Sequence, residues 1–559
     1  MTKIREKQSK PSALDSVYEY HDQTKHHLHR YARALGYMDW DSQPDPFRRY
    51  EQALILPLEH PEITETPSYD SLFDPWQEPV EPLNRHSVSR LLFESLAISA
   101  WKQAGNSRWS LRVNPSSGDL HPTEAYLIAG PIKDLSDTAA VFHYSVHGHA
   151  LERRVTLAPE EWSAISQNLQ PGSLLLALAS IYWRESWKYG ERAFRYCQHD
   201  VGHAIGTVTL AAAALGWKTR LVHSVTDDSL AILLGLNQQA GIEAEHPDCL
   251  LALYPAHVNN TPARPMVNLP APLLARLKTN AFAGSPNILS RHHQAWPIID
   301  AVAQACRYDG FVLRQHEQDP VSAPMTSNLI PGDRRISARQ IIRQRRSAVA
   351  MDGHTAISRD TFYRMMAHVT PHPGNTIPGV LPWRACVSLA LFIHHVDDLP
   401  TGLYLLVRDP DHEPSLRKAL RPEFQWIKPV DCPAPVHLYL LQEGDAREAA
   451  RIISCHQNIA ADGAFALGML AEFDASLEHY GASFYPRLYW ETGLIGQILY
   501  LEAEAAGIRS TGIGCFFDDA MHEILGISDH SWQSLYHFTV GGAVDDPRLQ
   551  TLPAYWYLK

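Results

Sequence analysis

Two stretches of the chain align without a gap at an offset of 291 residues, Gly202 falling on Gly493. Residues 201–236 read VGHAIGTVTLAAAALGWKTRLVHSVTDDSLAILLGL, and residues 492–527 read TGLIGQILYLEAEAAGIRSTGIGCFFDDAMHEILGI. The alignment also superposes Gly216 on Gly507, Asp227-Asp228 on Asp518-Asp519 and Leu234-Gly235 on Leu525-Gly526. Each copy predicts an Ala-rich apolar helix of about four turns closed by a glycine suited to a left-handed cap. A short β-branched or apolar run follows, then an Asp-Asp helix start and a second helix ending at Leu-Gly. A duplicated α+β unit implies two related domains in one chain. A fused pair of this kind reproduces within one polypeptide the two-fold contact of a homodimer. A further homodimer of the fused chain is left open.

Between the copies, from about Pro255 to Pro331, the chain is rich in Pro and Asn, with one amphipathic helix expected near Trp296–Arg307. The expected organisation is therefore a first domain over 1–258, a linker with one helix over 259–335 and a second domain over 336–559. With 559 residues there is room for both domains. The net charge of −12 gives no electrostatic reason to bind nucleic acid or an anionic membrane, while allowing a local basic pocket. The segment MTKIREKQSKPS lacks the apolar core of a secretory signal. The longest uncharged apolar stretches, 172–183 and 204–217, fall short of the ~20 residues a spanning helix needs. Seven scattered cysteines with no CxxC pair exclude a disulfide framework and the common structural zinc spacing. The expectation is a soluble, cytoplasmic protein without a structural metal. The histidines at 21, 26, 27 and 29 are read as polar contacts rather than metal ligands.

Three motifs carry chemistry. Pro115-Ser116-Ser117-Gly118 is a turn before an expected helix start, offering backbone N–H groups and two hydroxyls to an acceptor. Lys188 and Tyr189 are adjacent in WKYGERAFRY, with Arg192 and Arg195 at helical spacing. Crowding by cations would acidify the phenol toward use as a base; the plainer alternative is a solvated basic helix face. In the second copy Arg345-Arg346-Ser347 supplies guanidinium forks suited to phosphate. Further on, Gly512-Ile513-Gly514 offers glycines of the kind that let backbone approach a flat ligand closely. The first copy has Leu221-Val222-His223-Ser224 at the equivalent positions, without either glycine.

NPSSGDLHPTEAY, WKYGERAFRY and GHAIG…LAAAALGW together resemble the nitroreductase-fold flavoproteins, and among them the SagB-type (thiazole/oxazole-forming) dehydrogenases. Tyr18–Ala32 (YEYHDQTKHHLHRYA) is similar to that family's opening motif near the flavin phosphate. The resemblance implies two tandem nitroreductase-like domains of α+β class forming an intramolecular pseudo-dimer. It also implies FMN held at their interface and a Lys188-Tyr189 pair acting in dehydrogenation. The phosphate clamp (Arg345, Arg346, Ser347) and glycine platform (Gly512, Ile513, Gly514) come from one copy, the Pro115–Gly118 turn from the other. The converse site lacks such a turn, having PGNTIPGVLPW (373–383) instead, so one competent site is expected. The implied reaction takes a proton and a hydride from a small-molecule or modified-peptide substrate, as in azoline-to-azole oxidation. Two alternatives stand beside it: an NAD(P)H-dependent reductase of nitro, quinone or enone groups, and a non-catalytic binder of flavin or peptide.

Overall fold

The computed structural model describes residues 11–73, 79–256, 265–310, 336–372, 375 and 377–558. The repeat appears in it as two antiparallel sheets of matching strand order. The first sheet runs β2 (Leu54–Pro57), β7 (Ala150–Thr156), β6 (Ala140–Ser145), β5 (Thr123–Ala129), β8 (Leu174–Ser180), β10 (His246–Pro255), β9 (Trp217–Val222). The second runs β14 (Leu438–Glu443), β13 (Gly402–Leu406), β12 (Val387–Ile393), β15 (Phe465–Glu472), β17 (Trp532–Gly541), β16 (Arg509–Ile513). Apart from the extra edge strand β2, the two orders coincide. The middle strands β8 (LLLALAS) and β12 (VSLALFI) are continuous apolar runs and are buried along their whole length. Such strands have both faces covered, so their pattern is a run rather than an alternation.

What covers them is a pair of 21-residue helices, Ala193–Ala213 and Tyr485–Ala505, packed against each other at the centre of the molecule. Their crossing explains the aligned glycines. A Cβ placed on Gly202 would lie 2.9 Å from the Gly493 Cα, and one on Gly493 would lie 2.8 Å from the Gly202 Cα. Only hydrogen fits between the two backbones. Equivalent residues of the repeat touching each other is the signature of a two-fold contact, here built inside one chain. After each long helix come a strand (β9, β16) and the Asp-Asp helices Asp227–Leu234 and Asp518–Leu525. These stop at left-handed Gly235 (φ 76°) and Gly526 (φ 85°), as the Leu-Gly signals predict.

Each half also reaches across to the other. The N-terminal helix Ala13–Gln23 lies against the second half, where the Tyr18 hydroxyl donates to Asp474 at 2.8 Å. The C-terminal strand β18 (Gln550–Leu552) adds to β3 (Ile98–Ala104) of the first half, which pairs in turn with β4 (Ser107–Arg112). One apolar cluster runs through both halves. The connecting segment differs from expectation. Its described residues hold two helices, Ala271–Thr279 and Pro297–Ala305, rather than one, and β11 (Ser285–Pro286) pairs back onto β1 (Tyr50–Glu51). The extra helix, APLLARLKT, has prolines at its first turn and buries only Leu273 and Leu277. Its apolar stripe is too narrow to be conspicuous in a Pro-rich stretch. No helix among the described residues is long and apolar enough to cross a membrane.

Candidate functional site

A cavity of about 780 Å³ opens at the seam, lined by both halves. From the first half come Lys102, Arg112, Asn114, the Pro115–Gly118 turn, Tyr189, Tyr196 and Asp200; from the second come Arg345, Arg346, Ser347, Tyr500, Gly512, Ile513, Gly514, Cys515 and Tyr536. The separate sequence motifs thus converge on one space, although they lie up to some four hundred residues apart in the chain. Lys188 is set just behind this wall.

The Pro115–Gly118 turn leads into a single 3-10 turn, Ser117–Asp119, and then into strand β5. The Ser117 donors are engaged, its N–H and hydroxyl both donating to Asp200 at 3.1 and 3.2 Å, and the Ser116 hydroxyl accepts from the His121 N–H at 2.8 Å. Asp200 on the long helix therefore holds the turn in shape. Gly118 sits at φ +60°, and a Cβ there would come within 2.5 Å of the Tyr189 hydroxyl and 3.0 Å of the Lys188 Nζ. The tips of Lys188 and Tyr189, at the end of the helix Tyr182–Tyr189, thus meet over the same glycine. Glu185, one turn earlier on that helix, is fully buried and neither of its oxygens makes a well-formed hydrogen bond.

The electrostatics reverse one expectation. Burial raises the Tyr189 phenol well above its usual value, and the neighbouring Glu185, Tyr196 and Asp200 push it the same way. Arg192 and Arg195 do not relieve this, because both turn to Asp518 of the other half. Arg192 Nη1 donates to Asp518 Oδ2 at 3.0 Å and Arg195 Nη1 to Oδ1 at 2.8 Å. The two arginines are also no solvated face, being 1% exposed. Tyr189 is accordingly a neutral phenol near pH 7, not an acidified one. The carboxylates beside it respond to the same burial. Asp200 is raised to about 7 despite its bonds from Ser116 and Ser117, and Glu185 is raised well above the carboxylate range by burial and by Asp200.

The second-half wall is cationic. Arg345 is buried, donates to the Arg112 carbonyl at 3.1 Å and lies over the Tyr500 ring. Burial, then the charges of Arg345 and Arg343, depresses Arg346 to about 9, and Glu504 offsets this only in part. Lys102 is lowered by burial, then by Arg346 and Arg509. Desolvated like charges of this kind favour an anion among them. Ser347 shares a 2.9 Å hydrogen bond with the Tyr500 hydroxyl, which also accepts from the Gly512 N–H at 3.0 Å. The glycines of β16 and its end have a packing reason as well: a Cβ on Gly512 would overlap the Tyr536 hydroxyl, and one on Gly514 the Tyr196 ring. Tyr196 crosses from the first half to donate to the Gly514 carbonyl at 3.1 Å.

One expectation changes on this geometry. None of residues 18–32 lines the cavity; they clasp the second half instead, His21 bonding Gln533 at 3.0 Å and the His26 N–H donating to Asp518 at 2.9 Å. Among the described residues no three His, Cys, Asp or Glu groups are placed to hold a metal. At the pseudo-symmetric place in the first half, the linker fills the space. Tyr308 donates its hydroxyl to the His223 carbonyl at 2.6 Å and its N–H to Asp227 at 2.8 Å. That hydroxyl contact reproduces the Tyr196–Gly514 one, since His223 is the repeat equivalent of Gly514. Of the 373–383 segment named as the missing turn, Pro373, Gly374 and Thr376 lie outside the described residues. The motif reading missed Lys102, Asn114, Tyr196, Asp200 and Tyr500. Asp200 was within reach: it stands two residues before Gly202, as Glu491 stands two before Gly493. Glu491 does the matching job, accepting from the Cys386 and Val387 N–H groups at 3.0 and 3.2 Å.

A sequence model of the nitroreductase family matches residues 84–253 and 401–542, together more than half of the chain. The chain belongs to the nitroreductase family, with two copies of the fold in tandem. It is similar to a protein of Methanocaldococcus jannaschii provisionally named a nitroreductase, at 24% identity over 161 residues, 28% of this chain and 77% of the relative. A crystal structure from Anabaena variabilis, also provisionally named a nitroreductase, superposes with a TM-score of 0.66 at 20% identity, covering 95% of this chain and 99% of that one. The paired-half architecture is thus shared along the full length.

Proposed function

We propose that this chain is an FMN-dependent oxidoreductase acting as a dehydrogenase of the SagB type, with one flavin site at the seam. The observation that carries this reading is the joining, in one cavity, of buried cations from one half with a Lys-Tyr pair from the other. The volume falls within the range of cofactor pockets. Fit to a phosphorylated flavin is supported by the crowded charges of Lys102, Arg345 and Arg346 and by buried polar atoms left without partners on Asn114 and Arg345. Arg345, Arg346, Ser347 and Lys102 would hold the phosphate, the Gly512–Gly514 backbone and the Pro115–Gly118 turn the ring system. When bound, FMN supplies a two-electron acceptor.

The chain's own groups then do the following. Tyr189, neutral at pH 7, donates a hydrogen bond to a substrate heteroatom over Gly118, with the Lys188 ammonium beside it. Asp200, poised near neutrality on the cavity wall, is the group suited to hold the proton taken from the substrate. Glu185 behind it, kept uncharged by burial, keeps that charge from doubling. The substrate class is a small molecule or modified peptide with a C–C or C–N bond to oxidise, such as an azoline ring. Tyr308, filling the equivalent space in the first half, supports a single site per chain.

The test combines reconstitution with turnover. The purified chain is expected to take up one FMN, and Tyr189→Phe to retain it while losing turnover of an azoline-containing substrate. Two flavins per chain, or full turnover in Tyr189→Phe, would overturn the reading. Rapid anaerobic bleaching by NADPH would transfer it to the reductase direction, and a chain that takes up no flavin to the non-catalytic one.

A further inference from the structure

Cys455 and Cys515 stand apart from the chain's other cysteines. Cys197, Cys249, Cys306 and Cys386 are buried, and the half-buried Cys432 bonds to the Val436 carbonyl at 3.2 Å. Cys455 and Cys515 are half-buried, and each thiol bears on the other's proton. They come from distant segments laid side by side: the Phe517 N–H donates to the Ile453 carbonyl at 2.7 Å, and Gln457 Nε2 donates to the Cys515 carbonyl at 3.0 Å. Cys455 lies two residues after Ile453 and Cys515 two before Phe517, so this bond brings their segments alongside each other. Cys455 and His456 hold this approach with left-handed backbone, φ 54° and 59°, a conformation that non-glycine residues adopt at a cost. Cys515 and Gln457 both line the seam cavity, so small solutes in the cavity have access to Cys515.

We propose that Cys455 and Cys515 form a redox-active dithiol on the cavity wall, closed to an intramolecular disulfide by low-molecular-weight disulfides such as oxidised glutathione. Cys515, as its thiolate, attacks one sulfur of the small disulfide; that S–S bond breaks and one thiolate leaves, taking a proton from solvent. Cys455 then gives its proton to solvent and attacks the Cys515 sulfur, expelling the second thiolate. Two protein thiols are oxidised and one small disulfide is reduced to two thiols, so the electrons balance without another reactant. The order of attack follows the surroundings. The hydrogen bond from Cys455 and the charge of Arg192 lower the Cys515 thiol, whereas the Cys455 thiol is raised by that same contact and by burial. Closing the bond would fasten the Ile453–Gln457 turn to the wall of the cavity. The inference does not depend on a flavin being present.

The full-length chain is incubated with oxidised glutathione, quenched, denatured and alkylated, then mapped by mass spectrometry without reduction. Of seven cysteines, two should escape alkylation and appear as a linked Cys455–Cys515 peptide. In Cys455→Ser the mixed disulfide should accumulate on Cys515, at least about tenfold faster than any adduct on Cys455 in Cys515→Ser. Alkylation of all seven thiols, a stable mixed disulfide in the parent protein, a link involving another cysteine, or equal modification of the two variants would each overturn the proposal. Circular dichroism of the variants establishes that they are folded before their adducts are compared.

Discussion

Asp518→Asn tests how the two halves are held together. Asp518 is fully buried and takes Arg192, Arg195 and the His26 N–H, all from the first half. Those two cations hold its carboxyl far below the usual carboxylate range. Asparagine keeps the size and one acceptor but leaves two buried guanidinium groups uncompensated. Removing one partner from such a cluster destabilises by about 3–5 kcal/mol. With a urea slope of about 3 kcal/mol/M, the unfolding midpoint followed by tryptophan fluorescence should fall by about 1–1.7 M. The repeat supplies an internal control, because Asp227 is the equivalent residue. Burial raises Asp227 to about 6, its bond from the Tyr308 N–H and the charge of Arg487 offsetting this only in part. Its charge is no asset to the fold, and Asp227→Asn should cost less than about 1 kcal/mol. A midpoint in Asp518→Asn within 0.3 M of the parent (about 1 kcal/mol on that slope), or an equal loss in Asp227→Asn, would refute the argument. The acid limb has a defined sign: a carboxyl depressed in the folded state contributes fully above its unfolded value of about 3.9 and is lost only as pH falls below it.

Arg346→Ala should weaken FMN binding by about 10–100-fold, read from quenching of flavin fluorescence on titration, while Arg346→Lys recovers only part because the fork is lost. Unchanged affinity in the alanine variant would remove Arg346 from the phosphate site. Asp200→Asn should abolish the rise of turnover through about pH 7, the value to which burial brings this carboxyl. That rise comes from the charged form, which predominates above the pKa, so the variant's residual rate should be flat there. A parental limb in the variant would exclude Asp200 as the group that titrates.

The duplication was legible because its sharpest signals, Gly202 and Gly493, mark a place where equivalent backbones touch. The cavity walls were legible where a residue type is tied to its chemistry, as with Arg345-Arg346-Ser347 and the Pro115–Gly118 turn. Direction was not legible. Helical spacing puts Arg192 and Arg195 on a face but says nothing of what lies across from it, and Asp518 is far away in sequence. Composition also hid the linker's role, since nothing in a Pro-rich stretch foretells that Tyr308 will fill a pocket. The glycines of β16 and its end were read as room for a ligand, and Tyr536 and Tyr196 give them a packing reason as well. The extension of β3 by β18 depends on a tail of a few residues, too short for any pattern.

The meeting of Gly202 with Gly493 has an evolutionary corollary. In an assembly of two identical subunits, every substitution is made twice, so a useful change on one side of the axis is imposed on the other. A covalent pair is released from that rule. One lineage of residues can keep glycines beneath a tyrosine while its counterpart accumulates Leu221 and His223 and accepts a plug from the tether. Ancestral symmetry survives where backbones leave no room for anything else, and individuality begins a few ångströms away.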